Sequence, residues 1–135
     1  MIAYVTVGAD DLGAARRFYD AILPGLGYSL EVGSEGLSYV LPDRTLPLPD
    51  FYVKPTFDGR PASAGNGAMV AFEVPGQAQV RDLYTAALGA GGTDEGAPGF
   101  RAAYSAEFYV GYLRDPQGNK LAIFASNPDE SRREG

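Results

Sequence analysis

Apolar side chains recur at helical spacing in two stretches of this chain. In the first, apolar residues three and four positions apart run through residues 12–22, after Asp11 and before Pro24. Aspartate caps the free N–H groups at a helix start and proline cannot continue a helix, so this pattern predicts a helix between them. The second stretch has the same spacing through residues 80–88 and ends at Gly89, which predicts a second amphipathic helix.

Shorter runs rich in β-branched and aromatic residues flank both helices and predict strands. The predicted strands are residues 4–7, 28–32, 36–41 and 51–54 in the first half, and 69–74, 100–104, 108–113 and 120–124 in the second half. One strand precedes each helix and three follow it. Each half therefore has the order strand, helix, strand, strand, strand.

The two halves also repeat each other in sequence at an offset of 65 residues. Six of eight aligned pairs are identical and two exchange one apolar residue for another: Val5/Val70, Val7/Phe72, Arg16/Arg81, Phe18/Leu83, Tyr19/Tyr84, Ala21/Ala86, Leu23/Leu88 and Gly27/Gly92. A period this long fits a duplicated module, the alternative being two unrelated α+β segments with similar helices. We predict one domain over 1–125, with module 1 at 1–57, a linker at 58–67, module 2 at 68–125 and a frayed polar tail at 126–135.

Composition narrows the chemistry that is available. The 135 residues include no His and no Cys, and 11 basic against 17 acidic side chains give a formal net charge of -6. Without imidazole or thiolate there is no Ser-His-Asp or Cys-His nucleophile, no disulfide and no zinc ribbon. The acidic balance argues against a nucleic-acid partner, and no apolar run approaches the roughly 18 residues of a membrane span. The sequence enters its first strand without a basic leader, so we expect a cytoplasmic protein.

The sharpest local motif is the Asp-Pro-Gln-Gly-Asn segment at 115–119, whose residue order favours a type I turn between two strands. It follows the helix end Phe18-Tyr19-Asp20, the turn Gly65-Asn66-Gly67 before residues 69–72, and the glycine-rich segment 86–99. In this order and spacing the sequence resembles the glyoxalase/bleomycin-resistance/dioxygenase group, the vicinal oxygen chelate superfamily, from Ile2 to Phe124. The resemblance implies an α+β fold of two βαβββ modules whose mixed sheets curve into a cleft, with the helices outside.

In metal-dependent members of that superfamily, the ligands lie on the first and last strands of each module and point into the cleft. The resemblance places Tyr4, Met69 and Ser105 where such members have His, and Ala122 where they have Glu. A phenol, a thioether and a methyl group cannot together hold a divalent ion, which needs several carboxylate or imidazole ligands. We therefore predict a protein without metal or cofactor that binds a small organic ligand in an aromatic cleft. The predicted cleft residues are Tyr4, Met69, Ala122, Tyr52, Tyr104 and Lys120.

Two other functions stay open at this stage. The family includes lyases and dioxygenases, so the chain could be an enzyme that uses carboxylate or tyrosine groups, or a metal held by carboxylates. Its candidate bases are Glu31, Glu73 and Glu107, although solvated strand ends would have the same pattern. Arg101 and Arg114 could bind a ligand carboxylate.

The chain could instead be an interaction subunit. Bleomycin-resistance-like relatives pair and build their pockets near the dimer interface, so the resemblance also implies a homodimer.

Overall fold

Two four-stranded sheets, each with one helix, form the computed structural model, which describes residues 2–42 and 49–131. The first module contains β1 Val5–Gly8, α1 Leu12–Ile22, β2 Ser29–Gly33, β3 Gly36–Val40 and β4 Phe51–Lys54. Its strand order is β1-β4-β3-β2, with β1 parallel to β4 and the other neighbours antiparallel. A short 3-10 helix, Pro24–Leu26, follows α1.

The second module repeats this arrangement. It contains β5 Val70–Glu73, α2 Gln77–Gly89, β6 Thr93–Phe100, β7 Phe108–Arg114 and β8 Lys120–Ser126. The strand order β5-β8-β7-β6 again has a parallel pair, β5 with β8, beside two antiparallel pairs. The predicted α+β fold of two βαβββ modules is therefore confirmed.

Both helices bury an apolar face against the sheets and pack against each other. The Asp11 carboxylate accepts a hydrogen bond from the N–H of Ala14 at 2.9 Å, so α1 begins with the predicted cap. After α2, a Cβ added at Gly92 would lie 2.8 Å from Cε1 of Phe18, and glycine therefore permits this close approach of the two modules. Among the described residues, no helix is long and apolar enough to cross a membrane. The side chains that fill the core include Phe18, Tyr19, Ile22, Leu23, Tyr39, Val80, Tyr109, Leu113, Leu121 and Ile123.

One strand differs from the prediction. We expected a strand at 100–104, but β6 ends at Phe100 and the next residues form a turn, in which the N–H of Tyr104 donates to the carbonyl of Arg101 at 3.0 Å. The glycines and proline within Thr93–Phe100 disfavour a central strand. However, β6 lies at the edge of its sheet, where a missing N–H donor and register shifts are tolerated. The expectation that Tyr104 lies on a strand was wrong.

The turn between β7 and β8 contains a buried carboxylate. The N–H of Gly118 donates to the carbonyl of Asp115 at 2.9 Å, which confirms the predicted turn. The side chain of Asp115, a residue only 2% exposed, accepts from the N–H groups of Gln117 and Asn119 and from the Asn119 amide. It also accepts from the Tyr19 hydroxyl at 2.6 Å. Four donors offset the cost of burying this charge.

We call Asp115, Tyr19 and Asn119 the Asp115 cluster, and it joins the two modules. Tyr19 lies on α1, and the Asn119 amide also donates to the carbonyl of Gly8, at the end of β1, at 2.9 Å. Burial, followed by the nearby Asp115 charge, raises the pKa of Tyr19 well above its ordinary value. The phenol therefore stays a hydrogen-bond donor at neutral pH. The cluster fixes the β7–β8 hairpin against the first module.

The polar tail lies against α2 as far as Ser131 instead of being frayed. Gly76, which precedes α2, has no side chain to cap the helix. The Glu130 carboxylate accepts from the N–H of Gln77 at 2.9 Å, and the Gln77 amide donates to the carbonyl of Ser131 at 3.1 Å. The free N–H groups and the dipole at a helix start favour a carboxylate there. Residues 132–135 of the predicted tail lie outside the described part of the chain.

Removal of the Asp115 carboxylate should destabilise the protein strongly. Asp115→Ala removes the acceptor of the Tyr19 hydroxyl and one of the two acceptors of the Asn119 amide, at an expected cost of about 3 kcal/mol in the free energy of unfolding. Tyr19→Phe removes one donor and should cost about 1 kcal/mol. Urea unfolding followed by circular dichroism measures both costs. An equal loss in the free energy of unfolding for the two variants would contradict the role of the Asp115 carboxylate as the shared acceptor of the cluster.

The same variants have a second readout in alkaline solution. The pKa of Tyr19 in the folded state lies above its unfolded value of about 10. The stability that this residue contributes is therefore complete below pH 10 and is lost as the pH rises above that value. Tyr19→Phe should lose less stability than the wild type between about pH 10 and 11.5. Parallel losses in the two proteins would contradict this account of Tyr19.

Replacement of Glu130 should weaken the start of α2. Glu130→Ala removes the carboxylate that caps the helix, so the free energy of unfolding should fall by about 1 kcal/mol. The matched control is Asp129→Ala, which removes an exposed carboxylate one position earlier. Thermal melting compares the two, and an equal fall in melting temperature would show that α2 is not capped by the tail.

Candidate functional site

Each sheet has one face against a helix and an opposite face, which we call its outer face. Side chains alternate along a strand, so residues paired across neighbouring strands share a face. In β8, Leu121 and Ile123 lie in the core, and alternation therefore places Lys120, Ala122 and Phe124 on the outer face. Through the same pairing, the first outer face includes Thr6, Ser38 and Tyr52, and the second includes Ala71, Tyr112 and Ala122.

Tyr52 and Ala122 occupy equivalent positions in the two modules. Tyr52 pairs with Thr6 and Ala122 pairs with Ala71, and the 65-residue offset of the repeat relates Thr6 to Ala71. At this equivalent position of the last strand, the first module has the phenol ring of Tyr52 and the second module has the methyl group of Ala122. The two outer faces consequently differ in shape although their backbones correspond.

The first outer face has a pair of tyrosines. Tyr4, which is 52% exposed, contacts Tyr52 edge-on with ring centroids 5.3 Å apart. The ammonium of Lys54 lies 4.4 Å from the centre of the Tyr52 ring and 3.4 Å from the Glu35 carboxylate. Two predicted cleft residues are therefore in contact here, and the neighbouring lysine has a counter-charge.

The second outer face is built around the ring of Tyr112. The Lys120 ammonium lies 5.2 Å from the centre of this ring, and the Arg101 guanidinium lies 5.7 Å from it. Ala122, directly paired with Tyr112, is only 2% exposed. The methyl group that we predicted to line the cleft is therefore buried.

An aromatic row continues along the same face. Phe108 contacts Phe124 with ring centroids 5.3 Å apart, and Tyr104 contacts Phe108 edge-on at 5.6 Å. Tyr104 is 72% exposed, because the turn after β6 places it above the sheet. Although it does not lie on a strand, it still belongs to this aromatic surface.

Met69 and Lys120 line a common groove of about 690 Å³ beside the second outer face. One wall is the backbone of residues 63–68, where the N–H of Ala68 donates to the carbonyl of Gly65 in the predicted turn. Met69, which lines this groove, is 46% exposed. Arg114 also lines it, and it donates to the Glu95 carboxylate at 2.5 Å and to the carbonyl of Gly118 at 2.8 Å.

The six predicted cleft residues therefore form separate groups. Within the described ranges, no ring contact or hydrogen bond connects the Tyr4–Tyr52 pair to Met69, Tyr104 or Lys120. Sequence reasoning did not place Tyr112 among the site residues. The alternation in Phe108–Arg114, paired across the turn at 115–119 with Lys120–Ser126, is the signal that identifies it.

The donor groups at the predicted site do not suit a metal ion. Among residues 2–42 and 49–131, no three His, Cys, Asp or Glu side chains lie close enough together to hold one. The candidate bases Glu31, Glu73 and Glu107 are all exposed, as solvated strand ends are. A desolvated carboxylate of the kind that general-base catalysis uses is not formed by these three residues.

Neither a protein-family sequence model nor a curated protein matches the chain. Solved structures do match. A glyoxalase/bleomycin resistance protein from Albidiferax ferrireducens T118 is 33% identical, with a TM-score of 0.77 and coverage of 91% of this chain and 96% of that chain. A glyoxalase-related enzyme from Fulvimarina pelagi is 20% identical, with a TM-score of 0.71 and coverage of 100% and 98%. A glyoxalase/bleomycin resistance protein/dioxygenase family enzyme from Burkholderia phytofirmans PsJN is 18% identical, with a TM-score of 0.69 and coverage of 93% and 98%.

The paired βαβββ modules place the protein in the fold class of these structures, and for the two matches of lower identity the likeness extends to the fold alone. The Albidiferax protein, at 33% identity over 91% of this chain, shows family membership as well as a shared fold. The chain belongs to the glyoxalase/bleomycin resistance protein family.

Proposed function

We propose that this protein binds a small organic molecule on its outer faces without the help of a metal ion. The observation that carries the proposal is the exposure of Tyr4, Met69 and Tyr104 on or beside these faces. The core between helices and sheets is filled without them. Large apolar side chains that the fold does not need, next to polar groups that can orient a ligand, are typical of a binding surface.

The chemistry of the surface supports sequestration of a ligand rather than its conversion. The rings of Tyr104, Phe108 and Phe124, with neighbouring centroids 5.3–5.6 Å apart, offer an apolar aromatic surface. The exposed glutamates described above do not favour a glyoxalase-like enzyme with a carboxylate base. Binding of a drug or metabolite, as in a resistance protein, is the function that needs only the groups present here.

We also propose that the protein is a homodimer whose outer faces lie at or near the contact between the two copies. Phe57 is fully exposed and lines a groove together with Thr6, an outer-face residue of β1. Phe57 gives the first module an exposed apolar area, which a second copy would cover. A ligand bound on these faces would then lie near the interface.

Ligand binding should appear as a rise in melting temperature that grows with ligand concentration in a screen of aromatic metabolites and antibiotics. A ligand at about one hundred times its Kd adds about 2.7 kcal/mol to the stability of the folded state. Met69→Glu and Tyr104→Ala should reduce the shift. Val32→Glu changes an exposed apolar residue of β2 that is not on an outer face, and it should leave the shift unchanged. A shift that survives both outer-face variants would place the ligand elsewhere, and no shift with any compound would contradict the proposal.

Light scattering coupled to size-exclusion chromatography tests the dimer. The wild type should have twice the chain mass of 14.3 kDa. Phe57→Glu adds a charge to the apolar area and should shift the protein towards the mass of one chain, whereas Val32→Glu should not. A wild-type mass of 14.3 kDa at micromolar concentration would overturn this assignment.

A further inference from the structure

The cationic side chains of this acidic protein differ in whether they have a counter-charge. Arg16, Lys54 and Arg114 form ion pairs with Asp20, Glu35 and Glu95. Within the described part of the chain, Lys120 and Arg101 form no ion pair, although both lie over the ring of Tyr112. The Tyr112 ring on the second outer face is therefore near two cations that have no ion-pair partner among the described residues.

The pairing of β7 with β8 places the charge of Lys120 next to a second positive charge. Lys120 is directly opposite Arg114 in the β7–β8 register, and like charges in that position destabilise a sheet. Glu95 compensates Arg114, so the remaining unpaired charge of the two is that of Lys120. An anion bound at the Lys120 ammonium would weaken the remaining repulsion between Lys120 and Arg114.

The positively charged groups are also held in place before any ligand arrives. The Arg101 guanidinium donates to the carbonyl of Ala97 at 3.0 Å and to that of Phe100 at 3.3 Å. Lys120 is held over the Tyr112 ring, and it lines the same groove as Met69. Groups that are already positioned lose less conformational entropy when a ligand binds.

We propose that the ligand carries an anionic group, which the Lys120 ammonium binds, while its apolar part contacts Met69 and Tyr112 and the Arg101 guanidinium adds positive charge at the same ring. This inference rests on the proposed function and names the class of ligand: an aromatic or amphipathic carboxylate, sulfonate or phosphate. The three donors of a lysine ammonium suit any of these anions as a point charge. The overall charge of -6 does not prevent binding, because at 0.1 M salt charges more than about 10 Å away are largely screened.

Isothermal titration calorimetry with matched probes tests the inference. The probes are 1-naphthoate, 1-naphthalenesulfonate and 1-naphthyl phosphate, with 1-naphthamide as the neutral compound that has the same ring. At least one anion should bind the wild type about tenfold or more tightly than the amide, the effect expected of a charged hydrogen bond. The anion that binds most tightly shows whether the site prefers a carboxylate, a sulfonate or a phosphate. Its affinity should fall as the salt concentration rises.

Two variants assign the effect to Lys120. Lys120→Gln should abolish the preference for the anion, so that the variant binds the anion and the amide with similar affinity. Arg17→Gln removes one positive charge from the exposed side of α1 and should preserve the preference. Melting curves show whether each variant is folded.

The outcomes separate this inference from the proposed function. If the amide binds as tightly as all three anions, or if Lys120→Gln keeps the preference, the anion site is wrong and the apolar binding surface stands. If neither the amide nor any anion binds at millimolar concentration, the surface and the anion site both fail.

Discussion

The buried carboxylate of Asp115 is the constraint on which the arrangement of this molecule depends. It is almost completely removed from water, and its four hydrogen bonds come from its own turn and from the first module. A charge in that position is tolerated only while its donors stay in place. The adjacent Gln117 adds to the connection, because its Oε1 accepts from the N–H of Asp10 at 2.7 Å. The turn thus fixes the start of β8, where Lys120 follows Asn119 directly, and with it the outer face of the second sheet.

Much of the fold could be predicted because local patterns and tertiary packing agree. The Asp11 cap, the stop at Pro24 and the 65-residue repeat depend on neighbouring residues, and the structure confirms the helix limits and the module topology that they predict. The error at β6 has a different origin. Whether Thr93–Phe100 forms a strand depends on its place at the sheet edge, which the glycines and proline of the segment do not reveal. The contact of Glu130 with α2 likewise joins residues 53 positions apart.

For the candidate site, the two-residue period of a strand predicts from the sequence which face a side chain is on. It does not predict which side chains of different strands lie close together. Alternation placed Lys120 and Ala122 on one face, but it could not show that Ala122 is covered. The position of Arg101 beside Tyr112 depends on how the turn after β6 folds back. Such contacts between distant segments require the register of β6 and β7, which the sequence pattern alone does not define.

The two outer faces show how a duplicated module can diverge. Each has a lysine over a tyrosine ring, Lys54 over Tyr52 and Lys120 over Tyr112. The first lysine has a glutamate partner in the same module, and the second has none among the described residues. The positions where the resemblance to metal-dependent relatives would place metal ligands carry the phenol of Tyr4, the thioether of Met69, the hydroxyl of Ser105 and the methyl group of Ala122. We therefore propose that side chains, rather than a bound ion, recognise the ligand.

Metal analysis by inductively coupled plasma mass spectrometry, combined with ligand titration before and after treatment with a chelator, tests that assignment most directly. We expect the purified protein to hold far less than one equivalent of any divalent metal, and we expect the same ligand affinity after chelation. One tightly held equivalent of a divalent metal, or binding that is lost on chelation and restored by that metal, would contradict it.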